Sequence, residues 1–116
     1  MSKKLGIEKI IGDRAEELAI SYLKEQNYEI IEHNFYAKKM GEIDIIAKKD
    51  DILHFIEVKS ALANFDPIYN ITPKKLRRII NSSYYYMKLK NIDIAFCIDA
   101  IIIRGDDIEF IDNITM

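Results

Sequence analysis

The stretch that decides the fold is GEIDIIAKKDDILHFIEVKS, residues 41–60. Two apolar segments flank a charged turn, and each segment has acidic or basic residues among its apolar ones. Because side chains alternate between the two faces of a strand, Glu42 and Asp44 share one face of the first segment. Glu57 and Lys59 share one face of the second segment for the same reason. The alternation predicts two β-strands, each with a charged patch.

An antiparallel hairpin with the two consecutive aspartates at its tip predicts which of these groups meet. Asp44 falls directly opposite Glu57 in that register, and Glu42 falls opposite Lys59. Directly opposed side chains point to the same face and lie a few ångström apart. A slip of one residue would send the charged groups to opposite faces. The hairpin is therefore expected to gather three carboxylates and one ammonium on one patch.

Such a patch suits metal-assisted hydrolysis of a phosphodiester. Opposed carboxylates repel, and Mg²⁺ or Mn²⁺ relieves this because such hard cations prefer oxygen ligands. A bound ion lowers the pKa of its water and stabilises phosphoryl charge. Lys59 could then stabilise the transition state. The alternative is simpler: alternating charges on a hairpin are more often just its solvated face.

Length and composition favour one globular domain over residues 1–116. The chain has 116 residues, of which 49% are hydrophobic and 31% charged, with a net charge of −2. The apolar runs are far shorter than the ~20 residues of a membrane helix, and no signal peptide is recognised, so no membrane association is expected. A single cysteine, Cys97, excludes an internal disulfide and favours a cytoplasmic location. The acidic balance argues against a strong non-specific nucleic-acid binder.

The remaining patterns predict the element order helix, three strands, helix, two strands. Apolar residues at three- and four-residue spacing predict a first helix over residues 7–26. Thr72 and Pro73 are suited to the N-cap and first position of a second helix, where the sequence reads TPKKLRR. Two final strands are expected to join at Gly105–Asp106. The fold class is thus a mixed α/β sheet in one layered domain.

The segments GEIDIIA and HFIEVKS together resemble the core of the PD-(D/E)xK nucleases. More closely, the chain resembles the YraN-like family of small predicted endonucleases over nearly its whole length. IGDRAEELAISYLKEQNYEIIEHNF is similar to the N-terminal signature of that family, and NFDPIYNITPKKLRRI to the segment that follows its lysine motif. The resemblance implies a restriction-endonuclease-like fold, with a mixed sheet flanked by helices. Archaeal Holliday-junction resolvases look similar in the same elements, which implies branched DNA as a candidate substrate.

The resemblance also implies the roles of individual residues. Asp44 and Glu57 match the metal-binding carboxylates, and Lys59 matches the catalytic lysine. Glu16 matches a further acid on the first helix, and the backbone carbonyl of Val58 is expected to join the metal ligands. The implied cofactor is Mg²⁺ or Mn²⁺.

Two positions depart from the family pattern, and both replace a cation that could hold phosphate. Ala61 stands where an arginine is usual after the lysine motif. Cys97 and Ile98 stand where Arg-Phe is usual before Asp99.

The second helix offers a surface for DNA. Lys74, Arg78 and Tyr85 are predicted on its outer side, with Lys75 on a flank, where they could contact phosphates and stack a base. An ordinary solvated helix face explains these residues equally well. His33 and His54 have no partner at metal-ligand spacing, so surface or turn positions are expected for them.

Two functions from different classes remain open. The first is a metal-dependent endonuclease acting on DNA, with a preference for branched or structured DNA. The second is a nucleic-acid- or protein-binding module that retains the nuclease fold without turnover. The intact acids and Lys59 favour the enzyme, whereas the acidic balance and the missing arginines favour the module. The sequence leaves a homodimer open.

Overall fold

Two helices and five strands make up the part of the chain that the structure describes. This computed structural model describes residues 3–61 and 71–115, with side chains from residue 9 onward. The elements follow the predicted order, and a short 3₁₀ turn, Lys38–Met40, lies between the first two strands. In chain order they are α1 Lys3–Glu25, β1 Glu29–Tyr36, β2 Glu42–Lys49, β3 Ile52–Ser60, α2 Pro73–Leu89, β4 Ala95–Arg104 and β5 Asp107–Ile111.

The five strands form one sheet in the order β1-β2-β3-β4-β5. All neighbours are antiparallel except β3 and β4, which run parallel from the Ile52–Ala95 pair to the Ser60–Ile103 pair. A parallel pair needs a crossover connection, and α2 lies in that connection. The central strand β3 therefore carries the acid–lysine motif between an antiparallel and a parallel neighbour.

The predicted hairpin register is confirmed over five pairs, from Lys49–Ile52 to Ile45–Ile56. The turn between β2 and β3 is made by Asp50 and Asp51, whose φ angles are 51° and 62°. Two consecutive residues with positive φ match the twist of the flanking strands in a two-residue hairpin turn. Aspartate tolerates this conformation better than most residues, which explains its presence twice in succession.

The start of α2 is also confirmed. The Thr72 side chain accepts a hydrogen bond from the Lys75 backbone N–H at 3.2 Å, and Pro73 occupies the first helical turn. A capped N-terminus satisfies an otherwise unpaired donor and fixes where the helix begins. The segment NFDPIYN lies outside the described residues.

Each face of the sheet carries one helix and one core. The α1-side core contains Ala15, Ala19, Leu23, Ile45, Ala47, Ile56, Ile101 and Ile103. The α2-side core contains Phe35, Ile43, Ile46, Leu53, Phe55, Ile79, Tyr86 and Ile98. Ile11, one of the apolar residues whose three- and four-residue spacing predicted α1, is half exposed. Neither helix combines the length and the apolar character needed to cross a bilayer, among the residues that the structure describes.

Candidate active site

The β2–β3 ladder ends one residue before the acidic motif. The last cross-strand pair is Ile45–Ile56, and continuing the register would pair Ile43 with Val58. Instead, the Val58 backbone N–H donates to Asp44 Oδ2 at 2.8 Å. The Asp44 carboxylate thus accepts a hydrogen bond from an N–H group that would have donated to a backbone carbonyl in an unbroken ladder. The prediction that Asp44 pairs directly with Glu57 is wrong in this detail, because the strands part at Asp44.

The strict alternation of faces along β2 also breaks at Asp44. Ile43 belongs to the α2-side core and Ile45 to the α1-side core, although residues two apart in a regular strand share a face. On the neighbouring strand, Asn34 has a φ of 55°, a left-handed conformation that asparagine tolerates. The expectation that Ile43 and Ile45 share a face is therefore wrong. The irregularity places Asp44 close to acids on α1 as well as on β3.

Asp44 is surrounded by negative charge. Burial, together with the nearby carboxylates of Glu57, Glu16 and Glu42, raises its pKa from 3.8 to about 8. The hydrogen bond from the Val58 N–H acts in the opposite direction. A half-buried carboxyl next to other acids holds its proton at neutral pH unless a cation compensates the charge. The acids around Asp44 thus outnumber the nearby basic groups when no metal ion is bound.

Lys59 supplies part of that compensation. Its Nζ lies 3.3 Å from Glu57 Oε1, and both side chains are largely buried. The two residues are two apart on β3 and project to the same face, as the alternation predicted. The structure therefore brings Asp44, Glu57 and Lys59 together at the point where β2 and β3 separate.

Glu16 reaches the same place from α1. Burial raises its pKa, and the carboxylate of Glu42 raises it further. Asn34 connects these two acids. With its amide nitrogen turned toward them, it donates to Glu16 Oε1 at 2.6 Å and to Glu42 Oε1 at 2.9 Å, while its oxygen accepts from the His33 ring at 3.2 Å.

Asn34 was not among the site residues predicted from the sequence. Asn34 lies seven residues before the GEID motif, near the end of a strand. This position indicates a site residue only when β1 and β2 are known to pair. The β1–β2 register then places Asn34 beside the start of β2.

A cleft of about 180 Å³ connects the acids with the second helix. Glu42 and Glu57 line one side, and Lys75 and Arg78 from the first turns of α2 line the other. The helix is held there by a hydrogen bond from Ser82 Oγ to the Met40 carbonyl at 3.1 Å. Two of the predicted DNA-contacting residues thus share a cleft with the predicted acids.

The other two residues predicted to contact DNA, Lys74 and Tyr85, differ in how exposed they are. Lys74 is exposed, as expected. Tyr85 was predicted on the outer side of α2 but is half-buried, with its ring centroid 6.3 Å from that of Phe35. The apolar surface around Phe35 extends far enough along α2 to cover one face of this ring.

The donor set fits a hard divalent cation. Carboxylate oxygens from Asp44, Glu57 and Glu16 are the ligands that Mg²⁺ and Mn²⁺ prefer. The Val58 carbonyl should project to the same side as its N–H, toward Asp44, because both groups of a strand residue point to the same neighbour. Among the described residues, these carboxylates are not yet all within 4.8 Å of one another. Binding of a cation would therefore draw them together.

A second polar cluster, which the sequence patterns did not predict, lies on the α1 side of the sheet. His54 is buried, and its Nδ1 lies 2.6 Å from Asp99 Oδ2 and 3.0 Å from Cys97 Sγ. The expectation of a surface or turn position for His54 is wrong. Its partners lie on β4, 43 and 45 residues away in the chain, so local spacing gave no sign of them.

The five-stranded mixed sheet with a helix on each face makes this a protein of the restriction-endonuclease-like α/β fold class. The chain belongs to the uncharacterised protein family UPF0102, the YraN family, whose model matches residues 15–103. A UPF0102 protein of Sulfurovum sp. (strain NBC37-1) is 58% identical over 95% of this chain and 97% of its own. UPF0102 protein WS0451 of Wolinella succinogenes is 58% identical over 90% and 95%, respectively. One from Aliarcobacter butzleri is 53% identical over 90% and 96%.

Proposed function

We propose that this protein is a metal-dependent endonuclease that hydrolyses phosphodiester bonds of DNA. The observation that carries the proposal is the convergence of Asp44, Glu57 and Lys59 where β2 and β3 part. A half-buried carboxyl whose pKa is raised by burial and by neighbouring acids, beside a lysine, is typical of functional sites.

Each residue has a distinct part in the proposed reaction. Asp44 and Glu57, with Glu16 and the Val58 carbonyl, hold Mg²⁺ or Mn²⁺. When bound, the ion lowers the pKa of a water molecule and stabilises charge on the phosphoryl oxygens. Lys59, 3.3 Å from Glu57, orients the attacking water or stabilises the negative charge that develops at phosphorus. Asn34 positions Glu16 through its side-chain amide.

DNA would enter the site across the start of α2. Lys75 and Arg78 line the cleft that holds Glu57, and Lys74 is exposed nearby on the same helical turn. Backbone phosphates are bound mainly by such basic side chains and by helix N-termini. A short basic surface beside an acidic centre favours a few phosphate contacts and a preference for DNA shape. Branched or structured DNA is therefore the substrate class that we propose.

The competing function is a nucleic-acid- or protein-binding module without turnover. The absence of an arginine at position 61 and at position 97, where Ala61 and Cys97 stand, favours it. Incubation with linear, flapped and four-way DNA in Mg²⁺ or Mn²⁺ separates the two. Cleavage by the wild type that Asp44→Asn abolishes supports the enzyme. Binding of the same DNAs with no cleavage by any metal supports the module.

A further inference from the structure

The cluster of His54, Cys97 and Asp99 plays no part in the proposed reaction. Among the described residues, it is the set of three metal-ligating side chains whose ligand atoms all lie within 4.8 Å of one another. Asp99 is 0% exposed, and Cys97 is half-buried. The three residues come from neighbouring parallel strands, in which His54 and Cys97 are directly paired. Their proximity is therefore fixed by the sheet itself.

The geometry does not suit a thiol nucleophile. In a cysteine–histidine–acid relay, the thiol and the acid bind opposite nitrogens of the imidazole ring. Here both Cys97 Sγ and Asp99 Oδ2 approach the same atom, His54 Nδ1, at 3.0 and 2.6 Å. Burial and the nearby Asp99 carboxylate also raise the pKa of the Cys97 thiol to about 12, so almost no thiolate exists at neutral pH.

The same geometry suits a tetrahedral metal ion. Ligands of tetrahedral Zn²⁺ lie about 2.0–2.3 Å from the metal, which places nitrogen, oxygen and sulfur about 3.4–3.6 Å apart. The separations here are 2.6 Å for nitrogen to oxygen, 3.0 Å for nitrogen to sulfur and 3.6 Å for sulfur to oxygen. The first two pairs need to open by less than about 1 Å to accept the ion, and the sulfur–oxygen pair already fits.

A second contact orients the carboxylate for this role. The Asn113 backbone N–H donates to Asp99 Oδ1 at 2.8 Å, which leaves Oδ2 directed at His54. Hydrogen bonds to the non-ligating atom are typical supports of metal-binding carboxylates. Cys97 is half-buried, and both Cys97 and Asn113 line a cleft of about 180 Å³.

We propose that His54 Nδ1, Cys97 Sγ and Asp99 Oδ2 form a site for a soft divalent ion of the zinc class. Thiolate with imidazole favours Zn²⁺ over the hard ions that an all-oxygen site prefers. On binding, Cys97 releases its thiol proton to solvent, the ion takes the place of the proton between His54 Nδ1 and Asp99 Oδ2, and the neutral imidazole carries its single proton on Nε2 instead, by exchange with solvent. The site is independent of the carboxylates at Asp44. It would cross-link β3 and β4.

The test uses the full chain and Co²⁺, which reports thiolate ligation by a charge-transfer absorption band. Wild-type protein should show this band with one equivalent of Co²⁺, and Zn²⁺ should displace it. Cys97→Ser should remove the band. His54→Gln should weaken Zn²⁺ binding at least about tenfold, since even loss of an outer contact costs that much. Asp44→Asn is the matched control, and it should leave the band and the Zn²⁺ affinity unchanged.

A second measurement does not depend on any variant. With the acidic site first saturated with Mg²⁺, Zn²⁺ should release about one proton per bound ion in unbuffered solution, because the Cys97 thiol must ionise to bind it. No cobalt–thiolate band in folded wild-type protein would overturn the proposal. So would a band that forms in His54→Gln at the same Co²⁺ concentration as in the wild type, because it would show binding without the imidazole. Zn²⁺ binding without proton release would exclude the site as well.

Discussion

Asp44 Oδ2 accepts the backbone N–H of Val58 at 2.8 Å, at the point where the β2–β3 ladder stops. An asparagine at this position keeps an oxygen that can accept the same hydrogen bond but cannot ionise. Asp44→Asn therefore separates the charge of this residue from its contribution to the local backbone geometry.

The first prediction concerns stability and pH without divalent ions. The pKa of Asp44 is about 8 in the folded chain, whereas its ordinary value is 3.8. At a pH between these two values, the native state therefore holds a proton on Asp44 that the unfolded state has lost. The free energy of unfolding should therefore fall as pH rises from about 4 to about 8, by at most about 1.4 kcal/mol per pH unit. Urea denaturation at several pH values measures this slope.

Two variants test whether Asp44 causes that slope. Asp44→Asn should flatten it and should be more stable than the wild type at pH 8. Asp51→Asn, at the exposed hairpin turn, should leave it unchanged. A slope that is the same in Asp44→Asn and the wild type would assign the effect to other groups.

The second prediction concerns the metal at the acidic site. Mn²⁺ should bind with an affinity that rises with pH, because the ion competes with the proton on Asp44. Isothermal titration calorimetry should show no such binding when Asp44→Asn and Glu57→Gln are combined. Binding that survives the double substitution would place the ion elsewhere.

The third prediction concerns Asn34. Removing its amide should free Glu16 and weaken Mn²⁺ binding about tenfold, as for other residues that orient metal ligands. Asn34→Gly is the suitable change because glycine adopts the φ of 55° without strain. Asn27→Gly is its control, since Asn27 also has a positive φ, 68°, but lies at the end of α1. Equal Mn²⁺ affinities in the two variants would contradict the bridging role.

The fourth prediction separates catalysis from binding. If Lys59 acts in the transition state, Lys59→Ala should lower turnover by at least about 100-fold and change DNA affinity little. Single-turnover cleavage and binding in Ca²⁺ measure the two quantities. Lys88→Ala, an exposed lysine at the far end of α2, is the control. A Lys59→Ala variant that cuts at the wild-type rate would remove Lys59 from the mechanism.

The fifth prediction concerns the basic start of α2. Lys75→Ala with Arg78→Ala should weaken DNA binding at low salt and reduce the salt dependence by about one unit for each phosphate that is no longer bound. The cleavage rate of saturated complexes should change much less. Lys88→Ala combined with Lys90→Ala is the control, because it likewise removes two positive charges, but at the other end of the helix. If both double variants weaken binding to the same extent, net charge alone explains the effect.

The sequence predicted what depends on local pattern. The hairpin register follows from alternation and a two-residue turn, and the start of α2 follows from Thr72 and Pro73. The proximity of Glu57 and Lys59 follows from their spacing on one strand.

What the sequence did not predict depends on irregular or distant contacts. The change of face at Asp44 comes with a left-handed residue, Asn34, on the neighbouring strand, and no alternation pattern encodes it. The cluster at His54 requires the register of a parallel pair, whose strands are joined through a long crossover. Tyr85 was misplaced because the extent of the core along α2 is set by the sheet beneath it.

The parallel pairing of β3 and β4 also constrains the order in which the chain can fold. The β2–β3 hairpin closes over two residues and can form early, because short loops cost little entropy. The β3–β4 contacts join residues 43 apart in the chain, such as His54 and Cys97, so they close a much longer loop. We therefore expect the hairpin that carries Asp44 and Glu57 to exist before the sheet is complete, and the pairing of β3 with β4 to limit the folding rate.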